Sequence, residues 1–262
     1  MGRGFGIAAA VDNETIKIVA EAAERAGYSS FWVNDTPDGD GLEALAAAAS
    51  VTGRVRLGVG VIPISRRPPE SIALDVRRHR LPEERLWLGI GSPGPKGALN
   101  NARRAVATLN AELSCPIVIA ALGPRMVELG GEIADGVLLN WVTPSYAAKS
   151  AERIAEAAAK AGRAKPAVMS FVRAGLLPQA EQEIHRQADR YASIPAYARH
   201  FERQGIEAYL TVLRGTNPPV LQAGIAEFEA ILDETIVRAI TPDDEPETIL
   251  ELLEACKPGG AS

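Results

Sequence analysis

The segment IVIAALGPRMVELGGEIADGVLLNW, from Ile117 to Trp141, predicts one complete strand–helix–strand unit. An apolar strand (Ile117–Ala120) leads through a Gly-Pro turn into a helix, and the Asp135-Gly136 turn returns the chain to a second strand (Val137–Leu139). Such a connection makes the two strands parallel. Backbone N–H groups at the turn and at the helix start can bind a phosphate group. The segment therefore indicates both the fold and a docking place for a cofactor.

Short apolar runs alternate with amphipathic stretches through most of the chain. Uninterrupted apolar strands between helices predict a parallel sheet covered by helices. Eight such strands in 262 residues favour a single (β/α)8 TIM barrel of the α/β class, which typically needs about 250 residues. The predicted strands are Phe5–Ala9, Ser30–Val33, Arg56–Val61, Leu86–Ile90, Ile117–Ala120, Val137–Leu139, Ala167–Val172 and Thr235–Ile240. The clearest predicted helices are Thr15–Arg25, Gly41–Ser50, Ala102–Leu113, Arg125–Ala134 and Tyr146–Ala161.

The segment from about 173 to 234 departs from this alternation. It carries helix patterns over 179–191, 195–204 and 220–228, so we expect a helical insertion between strands seven and eight, over the barrel mouth. Tyr209–Leu213 is a candidate for an additional strand. No internal repeat or linker is visible, so the sequence predicts one domain over 1–262.

Composition and charge exclude several classes of protein. With 47% hydrophobic and 23% charged residues, the chain has the make-up of a globular protein. The net charge of −5 argues against a general nucleic-acid surface. No apolar run reaches the roughly 18 residues of a membrane span, and the first residues lack a secretory layout. With only Cys115 and Cys256, no disulfide framework is expected, and the predicted location is cytoplasmic.

In a TIM barrel the active site is built from the loops that follow the strands. These loops hold few acid–base groups and no histidine, since the three histidines of the chain are scattered, so no metal site is expected. Neither a GxSxG nor an HExxH motif is present. Such a site suits an organic cofactor that performs the chemistry itself, and hydride transfer is the natural candidate. The predicted rim segments are Asn34–Thr36, Ile62–Arg67, Gly91–Pro93, Ala121–Arg125, Asn140–Trp141 and Arg173.

Two glycine patterns allow alternative interpretations. Gly89–Gly94 matches the GxGxxG dinucleotide motif, but prolines flank its last glycine and no acidic residue ends the next strand, which favours a glycine-bearing barrel loop. Gly58 and Gly60 lie inside a predicted strand. They indicate either close approach of the backbone to a ligand or tight packing of a neighbouring strand, and the sequence leaves both open.

Four segments together resemble the luciferase-like flavin-dependent superfamily, particularly its branch that uses the deazaflavin coenzyme F420. IAALGPRMVELGGEIADGVLLNW is similar to the fifth-strand segment of that family, LGVGVIPISRRPPESIA to the third and LWLGIGS to the fourth. Phe31–Asp35 resembles the end of the second strand. The resemblance implies a (β/α)8 barrel that binds a flavin or deazaflavin ring at its C-terminal mouth. It also implies a non-proline cis peptide bond, here Gly60–Val61, in a bulge behind the ring.

The resemblance assigns cofactor-binding roles to particular residues. Asp35 would approach the polar edge of the ring, and Gly91 and Ser92 would flank it. Arg125 would add charge to the phosphate site, although a solvated helix residue is an equal alternative. The full set of implied cofactor-binding residues is Asp35, Gly60, Val61, Gly91, Ser92, Ala121, Leu122, Gly123, Pro124 and Arg125.

The chain also departs from the family pattern. Some F420-dependent relatives carry a catalytic histidine directly after the strand-two aspartate, where this chain has Thr36, so no catalytic residue is assigned. Arg66 and Arg67 either meet the anionic tail of the coenzyme or form ion pairs on a solvated face. Trp141, at a strand end, is a candidate to stack on a ligand, whereas Trp32 is expected in the core.

The resemblance therefore predicts an oxidoreductase that transfers hydride between coenzyme F420 and a small organic substrate. Two alternatives stay open: an FMN-dependent monooxygenase of the same family, and a non-catalytic barrel that binds flavin or deazaflavin. No nucleic-acid or membrane partner is expected. Relatives are often dimers, which makes a homodimer an expectation by analogy only.

Overall fold

A computed structural model describes residues 2–92 and 97–259 of the chain. The strands are β1 (Gly2–Ala8), β2 (Ser30–Asn34), β3 (Arg56–Pro63), β4 (Leu86–Gly91), β5 (Ile117–Ala120), β6 (Gly136–Asn140), β7 (Ala167–Leu176), β8 (Leu213–Gly215) and β9 (Glu234–Ala239). The helices are α1 (Asn13–Arg25), α2 (Gly41–Ala49), α3 (Pro69–Arg78), α4 (Ala98–Glu112), α5 (Pro124–Ile133), α6 (Pro144–Lys160), α7 (Glu181–Ala192), α8 (Pro195–Gln204), α9 (Pro218–Glu229) and α10 (Pro246–Ala255).

Eight of these strands close into a parallel barrel. Strands β1 to β6 pair in sequence order, β6 pairs with β7, β7 with β9, and β9 with β1. The ninth strand, β8, pairs with the end of β7. The predicted TIM barrel with a helical insertion between its seventh and eighth barrel strands, β7 and β9, is therefore confirmed.

The largest differences from the sequence prediction lie at the insertion. Strand β7 was expected to end at Val172, but it continues to Leu176 because its last residues pair with β8 after the β9 pairing stops. Arg173 is therefore a strand residue and not a loop residue. The expected strand at Tyr209–Leu213 is wrong in position: a 3-10 turn covers Ala208–Thr211, and β8 begins at Leu213.

Alternating side chains of the strands divide the core into two layers. Inside the barrel, Trp32 and Phe171 meet edge to face with ring centroids 6.0 Å apart, which confirms Trp32 as a core residue. Outside the barrel, helices cover the sheet with their apolar faces; in α1 this face includes Ile16 and Val19. In the described part of the chain, no helix is both long and apolar enough to cross a bilayer.

Candidate active site at the barrel mouth

A backbone irregularity marks β3 near the mouth. The Gly60–Val61 peptide bond is cis, as the family resemblance implies, and the register with β4 shifts between Val59 and Ile62. A Cβ atom on Gly60 would lie 2.5 Å from the Phe171 ring, so only glycine fits there without movement of the ring. The Asn34 amide donates to the Gly60 carbonyl oxygen at 2.6 Å. Gly60 is therefore tightly packed against side chains inside the barrel, and close approach of its backbone to a ligand stays a prediction.

Two arginines lie side by side at the mouth. Arg173 and Arg238 are register partners on the adjacent strands β7 and β9, and the residues are only 3% and 8% exposed. The Arg173 guanidinium donates to the Asn140 side-chain oxygen, and that of Arg238 to the Asn34 side-chain oxygen and the Ala239 carbonyl. Burial lowers the pKa of Arg173, while burial and then the Arg173 charge lower the pKa of Arg238 to about 10. Both side chains are cations at neutral pH.

Aromatic side chains lie over the Arg173 side of the mouth. The Arg173 guanidinium carbon is 4.0 Å from the Trp141 ring centroid and 4.9 Å from that of Tyr191. Trp141 directly follows β6 and has a φ of 55°, a left-handed conformation that is rare for a tryptophan. The Tyr197 hydroxyl accepts a hydrogen bond from the Asn140 amide at 3.2 Å. The insertion helices α7 and α8 therefore cover the ends of β6 and β7, as the sequence predicts.

The turn between β5 and α5 offers unused backbone donors. Among the described residues, the N–H groups of Leu122 and Gly123 donate to no other protein group, whereas Ala121 N–H bonds to the Leu138 carbonyl. A Cβ atom on Gly123 would meet one nearby group, the Arg203 guanidinium, at 3.8 Å. Arg125 is exposed in the first turn of α5. These donors and positive charges suit a phosphate group at this turn.

His200 joins the insertion to this turn and to the end of β6. The ring is fully buried, with Nδ1 2.9 Å from the Leu122 carbonyl oxygen and Nε2 3.0 Å from that of Trp141. Burial is the dominant influence and lowers the pKa of His200, the carbonyl oxygens oppose that shift, and the Arg203 charge reinforces it. These contacts hold α8 against the turn.

Asp35 makes contacts other than those the resemblance implies. Its buried carboxylate accepts the Gly41 N–H at 2.9 Å, forms an ion pair with Arg66, and lies 3.8 Å from Arg67. Arg67 also pairs with Asp40 at 2.8 Å and with Asp75 at 3.6 Å. For Arg67, the structure therefore favours the ion-pair alternative over contact with an anionic tail. The role of Asp35 at a ring edge stays a prediction.

The β3–β4 side of the mouth opens into a cavity of about 340 Å³. Its lining includes Ile64 and Ser65 after β3, Ser92 after β4, and Asn101 and Arg104 of α4. Ser92 Oγ donates to the Ala98 carbonyl at 2.9 Å, and Gly91 O accepts from Ile64 N–H at the same distance. This volume lies within the range of small-ligand sites, roughly 300–1,000 Å³.

Some sequence interpretations gain no support at this rim. In the alternative dinucleotide motif, Ser92 is the last described residue, Pro93 and Gly94 lie outside the described residues, and α4 begins only at Ala98.

A larger cavity, of about 910 Å³, lies against α5 and α6, where Arg203 and Pro124 are among its lining residues. In residues 2–92 and 97–259, no three His, Cys, Asp or Glu side chains are grouped to hold a metal ion.

Sequence reasoning missed Arg238, His200 and Arg203. A signal for the arginine pair exists: Ser170–Ala174 (SFVRA) and Thr235–Ala239 (TIVRA) share a small hydroxyl residue, two apolar residues, an arginine and an alanine. The register aligns these two segments residue by residue. An arginine within an apolar strand is unusual in itself. No comparable local pattern predicts the contacts of His200, because its partner Leu122 is 78 positions away.

These features define a (β/α)8 barrel with a cationic mouth, a glycine turn suited to phosphate and a helical cover. A family model described as luciferase-like monooxygenase matches residues 6–104 and 96–262. The chain belongs to this luciferase-like family.

Two sequence relatives and one solved structure illustrate what the chain is similar to. The chain is 27% identical over 198 residues to a 5,10-methylenetetrahydromethanopterin reductase of Methanolobus tindarius, across 61% of this chain and 60% of that protein. It is 32% identical over 156 residues to the enzyme of the same name from Archaeoglobus fulgidus, across 54% of this chain and 46% of that protein. The matches thus span about half to three fifths of these relatives. The structure of a coenzyme F420 dependent tetrahydromethanopterin reductase from Methanopyrus kandleri superposes with a TM-score of 0.74 at 18% identity, covering 96% of each chain.

Proposed function

We propose that this protein is an oxidoreductase that transfers hydride between coenzyme F420 and a small organic substrate. Two sequence relatives are named as methylenetetrahydromethanopterin reductases, and a similar structure is described as F420 dependent. The observation that carries the proposal is the β5–α5 turn, where the unused Leu122 and Gly123 donors lie beside Arg203. This arrangement fits the phosphate of such a coenzyme.

Different residues of the mouth would bind different parts of the coenzyme. Leu122 and Gly123 would hold the phosphate through their N–H groups, with the Arg203 charge beside them. Ser92 and Gly91, at the neighbouring strand β4, would contact the ring or its side chain from the 340 Å³ cavity. When bound, the deazaflavin supplies the hydride donor or acceptor. The aromatic side chains of α7 and α8 would exclude water from the β6–β7 side.

A non-catalytic barrel is the second candidate, and specific contacts favour it. Thr36 stands where some relatives have a histidine, and its hydroxyl is buried without a hydrogen-bond partner among the described residues. Asp35 beside it is held by Arg66 and by the start of α2. A protein of this kind would bind the coenzyme and leave its oxidation state unchanged.

Two measurements test these functions. Parallel titrations with F420 and FMN, followed by cofactor fluorescence, identify the ligand; we expect saturable F420 binding. Tight FMN binding with no response to F420 would contradict the proposal and favour an FMN-dependent monooxygenase. Reduced F420 is then mixed with the protein and a panel of acceptors without oxygen. Reoxidation supports the oxidoreductase, and binding without reoxidation across the panel supports the non-catalytic barrel.

Assembly is inferred from the family resemblance, and location from the cysteine content and the first residues of the sequence. We infer a homodimer, which sedimentation at several protein concentrations would test. A cytoplasmic location is likewise a proposal, tested by fractionating cells that express the protein.

A further inference from the structure

The arginine pair at the mouth lacks the counterions that buried cations normally have. Arg173 and Arg238 stand at the same level of β7 and β9, and both are more than nine-tenths buried. Within residues 2–92 and 97–259, neither guanidinium lies within 4.0 Å of a carboxylate oxygen. Burying two adjacent cations without an anion costs free energy, so a bound anion would stabilise this arrangement strongly.

The nearest acidic groups are engaged elsewhere. Glu183 of α7 accepts hydrogen bonds from Arg186 at 2.6 Å and from Gln187 at 2.8 Å. Asp244 accepts from the Thr241 hydroxyl at 3.1 Å. Burial raises the pKa of Tyr197 to about 12, so its hydroxyl stays neutral and supplies no negative charge. Glu183 and Asp244 therefore attract Arg238 only at longer range, and neither forms an ion pair with the two guanidinium groups.

Unused donors point to a ligand at this place. Among the residues that the structure describes, the buried Arg173 Nε has no hydrogen-bond partner. The Trp141 indole N–H, on the ring that stacks against Arg173, also lacks a partner within those residues. Buried donors in folded proteins are nearly always paired, so two orphans beside an uncompensated charge pair indicate a missing acceptor. Arginine presents its N–H groups in a planar fork that matches a carboxylate.

We propose that Arg173 and Arg238 form an anion subsite that binds the carboxylate of a small organic substrate, with Trp141 and Tyr191 against its apolar part. The subsite lies beneath α7 and α8, on the other side of the mouth from the 340 Å³ cavity at β3 and β4. The subsite proposal rests on the proposed function in one respect: the bound carboxylate belongs to the substrate that exchanges hydride. The acidic edge of a coenzyme ring could present the same kind of oxygen anion, so it is the alternative source of the bound anion.

The first experiment uses the full chain without coenzyme. Sodium benzoate and sodium succinate are titrated by calorimetry against sodium chloride at equal ionic strength. We expect saturable carboxylate binding to the wild type that falls about tenfold or more in Arg238→Gln, since a charged hydrogen-bond partner is lost. Arg190→Gln, at an exposed arginine of α7, is the matched control and should bind like the wild type. If Arg238→Gln fails to fold, Arg238→Lys replaces it, because lysine keeps the charge and lacks the fork.

The second experiment identifies the source of the anion. Benzoate is titrated into protein saturated with F420, and we expect both to bind together. Mutual exclusion of benzoate and F420 would assign the subsite to the coenzyme and overturn the substrate proposal. No carboxylate binding beyond that of chloride, or equal binding by Arg238→Gln, would overturn the subsite itself. If F420 fails to bind at all, the proposed function fails, while the coenzyme-free titration still decides the subsite.

Discussion

The Nδ1 atom of His200 lies 2.9 Å from the main-chain carbonyl oxygen of Leu122. This contact joins α8 of the insertion to the turn after β5, and Gln204 adds a hydrogen bond to the Trp141 carbonyl at 2.8 Å. The helical cover of the mouth and the β5–α5 turn are therefore directly connected. Substitutions in one of these two segments are expected to affect the other.

Replacing His200 with alanine should destabilise the protein. The substitution removes a fully buried ring together with its hydrogen bonding to the main chain and leaves a cavity, which should cost about 2 kcal/mol or more in the free energy of unfolding. Urea unfolding followed by circular dichroism measures the change. His79→Ala is the control, since the His79 side chain makes no hydrogen bond to the described residues and should lie within about 0.5 kcal/mol of the wild type. Equal midpoints for the two variants would refute the role of His200.

His200 should also make stability depend on pH. Its pKa in the folded protein is below the ordinary value of 6.5, so the unfolded chain takes up the proton first as the pH falls. The free energy of unfolding should therefore decrease below about pH 6.5, by at most about 1.4 kcal/mol per pH unit from this residue. Unfolding of wild type and His200→Gln between pH 7.5 and pH 5 measures it. A slope that persists unchanged in the variant would assign the effect to other groups.

Replacing Gly123 with aspartate should weaken coenzyme binding. The residue has a φ of −106°, which any side chain accepts, and space is open around it. An added carboxylate would repel the phosphate and lower the affinity for F420 by at least about tenfold. Gly123→Ala adds bulk without charge, and its affinity for F420 should stay within about twofold of the wild-type value. Fluorescence titration compares the two, and equal affinities would argue against a phosphate at this turn.

Replacing Arg203 with glutamine should also weaken binding, in a salt-dependent way. The guanidinium donates to the Leu122 carbonyl at 3.2 Å and brings positive charge to the turn. We expect about a three- to tenfold loss of F420 affinity, with the difference shrinking as salt is added. Arg199→Gln, at an exposed arginine of the same helix, is the matched control. A loss of the same size in both variants would show that only net charge matters.

An alanine at Gly60 should strain the interior of the barrel. Its methyl group would meet the Phe171 ring at 2.5 Å and Leu138 at 2.8 Å, which should cost about 2 kcal/mol of stability. A second change, Phe171→Leu, should cost less in the Gly60→Ala background than in the wild type, because it removes the clash. Gly53→Ala, where no atom lies within 4 Å of the added carbon, serves as control. Additive effects of the Gly60 and Phe171 changes would exclude a direct clash.

The fold follows from local patterns, since each apolar strand and each amphipathic helix is encoded by contiguous residues. Such local patterns do not predict where β7 ends, because its last residues pair with β8, which is distant in the sequence. At the site, the Gly60–Val61 bond and the Gly123 turn lie within contiguous motifs and were predictable. The segments SFVRA and TIVRA resemble each other in the sequence, but that Arg173 and Arg238 lie side by side depends on the register of two strands 65 positions apart. The contacts of Asp35 with Arg66 and Arg67 likewise join side chains that are distant in the sequence, so contiguous patterns do not predict them.

The attachment of α8 uses main-chain oxygens, so it does not depend on the identity of the side chain at position 122. A combinatorial library randomised at Leu122 would therefore vary the side chain at this turn while the anchoring stays intact. Selection for altered ligand binding can begin at this one codon.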